Sequence, residues 1–259
     1  MSNSRNKILS GRHIFAVLIA VFAIAGGIAA YNLITTERNY STARNEYNEL
    51  RVYAQTHAIT SSDTHIDNNE SPDGTGAPAQ RETKPDLSDI NPDYIGWIRI
   101  ENTDVDYPVV QGTDNIKYLS TTFTGVRNPS GAIFMDSRNT GGFYGFSLIH
   151  GHNMRDGSMF GGLYHLLDIE PDSEMQATLP EITIFTPNGN NLTYQIFSVR
   201  RTTENDAVFM LPEEGHDAVT NYFAGFGFSD EETQNILVLA TCTTGARNER
   251  LLVMATLIY

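Results

Sequence analysis

The sequence predicts a mainly β fold, a closed or nearly closed barrel of about eight strands with few helices, preceded by one membrane-spanning helix. Short apolar segments of strand length, separated by turn-forming residues, recur from residue 90 to the C-terminus. They alternate little with helical segments, which disfavours a parallel α/β sheet. A single apolar stretch near the N-terminus is long enough to cross a bilayer.

Eight segments have the composition and length of strands. They are residues 90–100, which run from a turn into a strand, and residues 105–110, 131–136, 146–150, 182–185, 192–199, 236–240 and 251–258. Pro108 has no backbone N–H, so its strand is expected at an edge or a bulge. Apolar residues that share one face predict short helices over residues 159–167 and 218–226.

Residues 14–34 form an apolar segment that would span about 31 Å as a helix, enough for the hydrocarbon core of a bilayer. Arg5, Lys7 and Arg12 precede this segment, whereas charges of both signs follow it. The positive-inside rule therefore predicts a single-pass cell-membrane protein with residues 1–13 in the cytoplasm and the rest outside. A cleaved signal peptide is the alternative, but its apolar region would usually be only about 7–15 residues long.

The chain after the membrane segment is expected to have two parts. Residues 35–85 comprise an extracytoplasmic helix to about residue 55, with Tyr40, Tyr47 and Leu50 on one face, and from residue 56 a flexible linker rich in Ser, Asn, Gly and Pro. This helix could be a stalk or could pack on the domain that follows. Residues 86–259 form the predicted folded domain, which at about 170 residues can bury one adequate core.

Composition argues against several kinds of partner. The formal net charge of −14 and the pI near 4.8 disfavour binding to nucleic acid. The chain contains one cysteine, so an intramolecular disulfide cannot stabilise it. His150 and His152 could ligate a metal, but no further cluster has ligand spacing, and neither a metal nor another cofactor is expected.

The single cysteine, Cys242, is the first candidate for chemistry. It follows the apolar segment 236–240, and a polar loop separates it from the segment 251–258. If these strands pair antiparallel, Cys242 lies close to Arg250, with Arg247 in the loop as a rival. A nearby cation favours the reactive thiolate. On this pattern alone, a small buried apolar side chain remains the ordinary interpretation of a lone cysteine.

A cysteine nucleophile also needs a histidine that holds or delivers a proton. Of the seven histidines, His152 lies in a glycine-containing loop directly after a predicted strand. Loops on rigid scaffolds frequently carry functional residues. His165 falls in the following predicted helix and is expected to be structural or exposed.

Four motifs, in this order, resemble those of sortases, and of class B sortases in particular. They are INPDYIGWI from residue 90, NPSGAIFMD from residue 128, IHGHNMRDGSMF from residue 149, and LVLATCT followed by RLLVMA from residue 237. The helix-forming segment before the Cys242 strand and the N-terminal helix fit the same class. Ala240 is a departure, because many members carry serine at that position.

The resemblance implies a membrane-anchored cysteine transpeptidase on an eight-stranded sortase barrel. By this analogy Cys242 attacks the threonine carbonyl of an LPxTG-like or NPxTN-like sorting signal and forms a thioester. His152 acts as acid and base, and Arg250 holds the substrate and stabilises the oxyanion, together with the backbone N–H of Thr243. The predicted substrate-binding residues are Asn128, Thr241 and Thr243.

The implied partners are surface proteins that carry a sorting signal, the membrane, and an amine nucleophile from a peptidoglycan precursor or a pilin lysine. Two other functions stay open from the sequence. One is a papain-like or cell-wall cysteine peptidase, although such enzymes usually place the cysteine before the histidine, whereas here His152 precedes Cys242. The other is a non-catalytic binding barrel with Cys242 buried.

Overall fold

The computed structural model describes residues 11–62, 84–168, 179–229, 231–243 and 248–258. The chain divides into two compact units, Met1–Thr42 and Ala43–Tyr259, and the strands of the described residues all belong to the second. Most of the flexible linker predicted from the sequence falls at residues 63–83, which lie outside the described residues.

One long helix, α1, comprises Gly11–Ser62. Its N-terminal part presents exposed apolar side chains, among them Phe15, Phe22 and Leu33, and by length and composition it is a candidate membrane span. The helix continues beyond residue 55, into the stretch that the sequence assigned to the linker. No glycine or proline interrupts the chain between Gly27 and Pro72, so nothing in the sequence forces an earlier end.

Eight strands of the described chain close into a barrel in the order β1-β2-β3-β4-β7-β8-β6-β5. Two neighbouring pairs, β2 with β3 and β4 with β7, are parallel, and the others are antiparallel. Each strand overlaps one of the predicted segments, which confirms the predicted barrel. The strands are β1 (Tyr94–Ile100), β2 (Asp106–Val110), β3 (Ile133–Met135), β4 (Gly145–His150), β5 (Glu181–Phe185), β6 (Asn191–Thr203), β7 (Asn235–Cys242) and β8 (Glu249–Leu257).

The strand that contains Pro108 is not an edge strand, because the barrel is closed, so the edge alternative is wrong. Its pairing with β1 does contain a bulge, where Tyr94 and Gly96 lie opposite Val110 and Val109. Pro108 lies opposite Trp97 of β1, and β3 pairs with β2 only at Val109 and Val110. The proline therefore occupies a position with one paired neighbour. Because no β3 residue pairs with Pro108, a residue without an N–H is tolerated inside this barrel strand.

Two short helices, α2 (Leu211–Glu214) and α3 (His216–Ala224), lie between β6 and β7 in the chain. Val219 and Phe223 of α3 are buried in one apolar cluster with Leu148 of β4, Val238 of β7 and Leu252 of β8. Burial of each such side chain stabilises the fold by about 1.5–3 kcal/mol. The cluster holds β4, β7 and β8 side by side, and these strands carry the cleft described below.

The helix predicted over residues 159–167 is a 3₁₀ helix, Gly161–Asp168. Its first bonds join residues three apart, from the Gly161 N–H to the Ser158 carbonyl and from the Leu163 N–H to the Phe160 carbonyl. Gly161 and Gly162 at its start have low α-helical propensity, which is consistent with the tighter winding.

Candidate active site

Cys242 and Arg250 lie side by side at the end of β7 and the beginning of β8. The strands pair antiparallel with Cys242 opposite Arg250. One position further, the Thr243 N–H donates to the Glu249 carbonyl at 3.3 Å. Because hydrogen-bonded and non-hydrogen-bonded pairs alternate in such a ladder, Cys242 and Arg250 form a non-hydrogen-bonded pair, whose side chains are closest. The hairpin geometry predicted from the sequence is therefore present.

His152 reaches the same place from the other side of β7. β4 pairs parallel with β7, with His150 beside Ala240, and the Gly151 N–H donates to the Ala240 carbonyl at 3.2 Å. Two residues past the end of β4, His152 lines the same cleft as Cys242. The thiol thus lies on β7, the middle strand of three. His152 follows its neighbour β4, and Arg250 lies on its other neighbour, β8.

These three side chains line one cleft. Its volume is about 310 Å³, and the Cys242 side chain is exposed in it. A cleft of this size with a few convergent polar groups has the properties of a small-ligand or peptide site. The lining residues are Asn115, Leu119, Phe134, Asp136, Arg138, His150, Gly151, His152, Glu204, Phe209, Ala240, Thr241, Cys242 and Arg250.

The imidazole of His152 is held by a backbone carbonyl. Its Nε2 lies 2.8 Å from the carbonyl oxygen of Leu119. A carbonyl oxygen only accepts, so Nε2 carries the proton in this bond. The neutral ring therefore has its basic lone pair on Nδ1, and Nδ1 is the nitrogen available to exchange a proton.

The guanidinium of Arg250 is bound on two sides. Its Nη2 lies 3.0 Å from the Glu204 carboxylate, and its Nη1 donates to the Glu249 carbonyl at 2.9 Å. The Arg250 side chain is 21% exposed, whereas that of Glu204 is 53% exposed. Arg247, the rival candidate from the sequence, lies outside the described residues.

A second histidine of the cleft, His150, is bound to a buried carboxylate. Its Nε2 lies 3.1 Å from Asp136, which also accepts from the Nε and Nη2 of Arg138 at 2.7 and 2.8 Å. Burial raises the pKa of Asp136, but the bonds from Arg138 and His150 outweigh burial and hold that pKa well below its usual range. Asp136 is therefore ionised at neutral pH, and the His150 Nε2 donates to it.

We expect Asp136→Asn to lower the free energy of unfolding by about 3 kcal/mol at neutral pH, because the charge of Arg138 loses its buried partner. The pKa of Asp136 is depressed in the folded state, so its contribution is complete above the unfolded-state pKa of about 3.9 and is lost below it. The difference between the proteins should therefore be constant from about pH 7 to about pH 5 and shrink as the pH falls below about 4. Guanidinium unfolding, followed by the fluorescence of the single tryptophan, Trp97, measures this difference.

Glu213→Gln is the matched control for this network. Glu213 accepts from the Nη1 of Arg138 at 2.8 Å but is 51% exposed. Its replacement should change the free energy of unfolding by less than about 1 kcal/mol. Equal losses in the two variants, or a loss in Asp136→Asn that does not depend on pH, would contradict the structural role given to Asp136.

The three residues predicted to bind substrate occupy different surroundings. Thr241 lines the cleft, and its buried hydroxyl has no hydrogen-bond partner among the described residues. Asn128 is buried outside the cleft lining, and its side-chain oxygen accepts from the Ser130 N–H at 2.9 Å. The Thr243 hydroxyl donates to the Glu249 carboxylate. Their role in substrate binding stays a prediction.

Sequence reasoning missed three groups that bind the side chains of the cleft. Asp136 had a usable signal, since an acid that ends an apolar strand segment and precedes Arg138 by two residues suggests a buried ion pair. Leu119 acts through its backbone carbonyl, so its side chain gave no indication of its role. Glu204 lies after β6, where nothing distinguishes it from other surface acids. Within the described residues, no three His, Cys, Asp or Glu side chains are grouped to hold a metal ion.

Comparison with known proteins agrees with the four motifs. A family model described as a sortase domain matches residues 98–258. Sortase B of Listeria monocytogenes is 29% identical over 198 residues, which cover 76% of this chain and 72% of that protein.

Solved structures give the same result for the fold. Sortase B of Clostridium perfringens aligns with a TM-score of 0.58 at 30% identity, over 67% of this chain and 98% of that one. A complex of Staphylococcus aureus sortase B with a substrate aligns with a TM-score of 0.65 at 23% identity, over 85% of this chain and 98% of that one. With the family model covering most of the chain, the protein belongs to the sortase family of transpeptidases, and within it to class B.

Proposed function

We propose that this sortase cleaves an LPxTG-like or NPxTN-like sorting signal after threonine and transfers the acyl part to the amine of a cell-wall peptidoglycan precursor. Cys242 is the nucleophile, His152 the general acid and base, and Arg250 the group that binds the reacting carbonyl. One observation carries the proposal, namely that His152, two residues after the end of β4, lines one cleft with Cys242 of β7 and Arg250 of β8. Membership of the sortase family supports a sorting-signal substrate.

In the first half-reaction the Cys242 thiol gives its proton to Nδ1 of His152, the sulfur attacks the threonine carbonyl carbon, and the carbonyl oxygen becomes an oxyanion. Arg250 donates to that oxyanion, and its guanidinium suits this role because it never loses its charge and can donate twice. The C–N bond then breaks, and protonated His152 delivers the proton from Nδ1 to the leaving amine. The product is a thioester on Cys242.

In the second half-reaction an incoming amine attacks the thioester carbon and gives a proton to His152. The C–S bond breaks, a new amide forms, and the Cys242 thiolate takes that proton from Nδ1, which restores the thiol and the neutral ring. Throughout the cycle the Nε2–H of His152 can donate to the Leu119 carbonyl, so the ring keeps its orientation while Nδ1 gains and loses a proton.

Arg250 must exchange a resting partner for the substrate. Its ion pair with Glu204 involves a half-exposed carboxylate, and such pairs contribute only about 0–1 kcal/mol. A substrate carbonyl can therefore displace Glu204 at low cost. The Thr243 N–H, predicted as a second oxyanion donor, donates to the Glu249 carbonyl instead. Arg250 is therefore the main hydrogen-bond donor to the oxyanion.

We place the catalytic domain outside the cell membrane, with residues 14–34 as the single anchor and residues 1–13 in the cytoplasm. The exposed apolar side chains of the N-terminal part of α1 and the basic residues before it support this topology. A thiol enzyme at this location meets surface proteins as they leave the membrane.

The two other functions considered from the sequence have less support. A non-catalytic barrel was expected to bury Cys242, whereas its side chain is exposed in the cleft. A papain-like peptidase is disfavoured by the closed barrel and by the order of His152 and Cys242 in the chain.

The test is a transfer assay with the full chain in detergent or nanodiscs. Fluorogenic peptides that contain either motif are mixed with an oligoglycine amine or with a lysine side-chain amine, and products are identified by mass spectrometry. We expect loss of the fragment after threonine, a thioester adduct on Cys242, and an amide between threonine and one amine. Hydrolysis without transfer to either amine, or no cleavage across the motif panel, would contradict the proposal.

A further inference from the structure

The part of α1 that follows Thr42 packs on the barrel through a buried face. Ala43, Tyr47, Leu50 and Ala54, spaced three or four residues apart, are all buried. Burial of apolar side chains is sufficient to explain that this helix is docked. It does not explain the polar contacts that one turn of the helix, residues 44–47, makes with the segments around His152.

The first of these contacts comes from the hydroxyl of Tyr47. Tyr47 is 2% exposed, and its hydroxyl donates to the Gly131 carbonyl at 2.7 Å and accepts from the Phe123 N–H at 3.3 Å. Beside it, the Glu46 carboxylate accepts from the Thr124 N–H at 2.9 Å. All three barrel residues belong to one loop, residues 118–132.

The same loop supplies the carbonyl that holds His152. Leu119, whose carbonyl oxygen binds the His152 Nε2, lies against Gly131: a Cβ on Gly131 would come within 2.3 Å of the Tyr118 carbonyl oxygen and 3.2 Å of the Leu119 carbonyl. The Ala132 N–H also donates to the Tyr118 carbonyl at 3.0 Å. Because the two ends of the loop are in contact here, a shift of Gly131 is transmitted to the Leu119 carbonyl.

A second set of contacts reaches the loop that carries His152 itself, residues 151–160. Arg44 forms an ion pair of 2.7 Å with Asp156, whose carboxylate also accepts from the Ser158 N–H at 3.2 Å. The Tyr47 ring packs edge to face on Tyr107 with centroids 5.2 Å apart, and the Tyr107 hydroxyl accepts from the N–H of Met159 at 3.0 Å. One turn of α1 therefore binds both segments that determine where the His152 ring lies.

We propose that residues 44–47 of α1 position His152, and that Tyr47 is the principal positioning residue, acting through Gly131 and the Leu119 carbonyl. The inference deepens the proposed function and rests on it for its effect on turnover. Tyr47 touches neither substrate nor thiol, and it acts by keeping the proton of His152 on Nε2 and the lone pair on Nδ1. The helix that contains the candidate membrane span thus also contributes to the geometry of catalysis.

The test compares two buried tyrosines in the full chain. Tyr47→Phe removes the hydroxyl that binds loop 118–132. Tyr194→Phe is the matched control, because Tyr194 is also buried and its hydroxyl donates to a backbone carbonyl, that of Phe143, at 2.6 Å, with no bond to either His152 segment. We expect kcat to fall about 10-fold or more in Tyr47→Phe, with KM within about twofold of the unchanged protein, and Tyr194→Phe to retain full turnover.

A spectroscopic readout separates this inference from the proposed function. The imidazole ¹⁵N shifts of His152, assigned by their loss in His152→Gln, report which nitrogen carries the proton. We expect a single Nε2–H form in the unchanged chain and in Tyr194→Phe, and a mixture of tautomers in Tyr47→Phe. If no peptide is transferred by any protein but the tautomer still responds to Tyr47, the proposed function fails and the positioning role stands.

Arg44→Gln provides a second variant in case Tyr47→Phe does not fold. The Arg44 side chain is 55% exposed, so its replacement should leave the fold intact. We expect a smaller change of the His152 shifts in the same direction. If neither variant alters the His152 shifts, or if Tyr194→Phe alters them equally, residues 44–47 do not position His152 and the inference is overturned.

Discussion

Replacing Cys242 with alanine should reduce turnover by at least about 10⁴-fold and remove the acyl-enzyme, because the reaction then has no sulfur nucleophile. The fold should be unaffected, since the side chain is exposed at the end of β7 and buries little surface. Mass spectrometry after incubation with a sorting-signal peptide measures the adduct. The fluorescence of buried Trp97 measures the unfolding midpoint of the same preparation.

The chain offers an internal control for that result. Cys242 is its only cysteine, so an acyl or alkyl adduct on sulfur in the unchanged chain has one possible location. An acyl-enzyme that persists in Cys242→Ala would refute the assignment of the nucleophile.

Arg250→Ala should lower kcat by about 10²–10³-fold, the usual loss when one donor to a developing oxyanion is removed. Arg250→Lys should recover only part of this loss, because an ammonium group keeps the charge but not the planar two-donor geometry. Steady-state kinetics with the sorting-signal peptide, combined with the rate of acyl-enzyme formation, measure the effect on the first half-reaction.

Two comparisons sharpen the arginine experiment. Glu204→Gln frees Arg250 of its resting ion partner and should retain at least the turnover of the unchanged protein. Arg247→Ala should change turnover far less than Arg250→Ala. A larger loss in Arg247→Ala would transfer the oxyanion role to that residue.

The local parts of the structure were predictable because neighbouring residues encode them. Apolar runs of strand length gave all eight strands, and the antiparallel pairing of two consecutive strands was enough to bring Cys242 beside Arg250. Such pairs depend on a short connection and on side-chain alternation, and both can be read from the chain.

The remainder depends on contacts between distant segments. The parallel pairing of β4 with β7, which brings His152 to the cleft of Cys242, joins residues far apart in sequence, and only the resemblance to a family indicated it. The Leu119 carbonyl and the Tyr47 hydroxyl act through backbone positions of a loop, so their roles become visible only when the loop is folded. Side-chain patterns carry no information about such bonds.

The order of strands in the barrel has a consequence for how the enzyme is made. His152 follows β4 in the middle of the chain, whereas Cys242 and Arg250 lie on β7 and β8, near its C-terminal end. In a growing chain His152 is therefore made long before Cys242, and β7 can enter the barrel only between β4 and β8. A chain that stops before β7 has the histidine but no thiol, so it cannot form an acyl adduct.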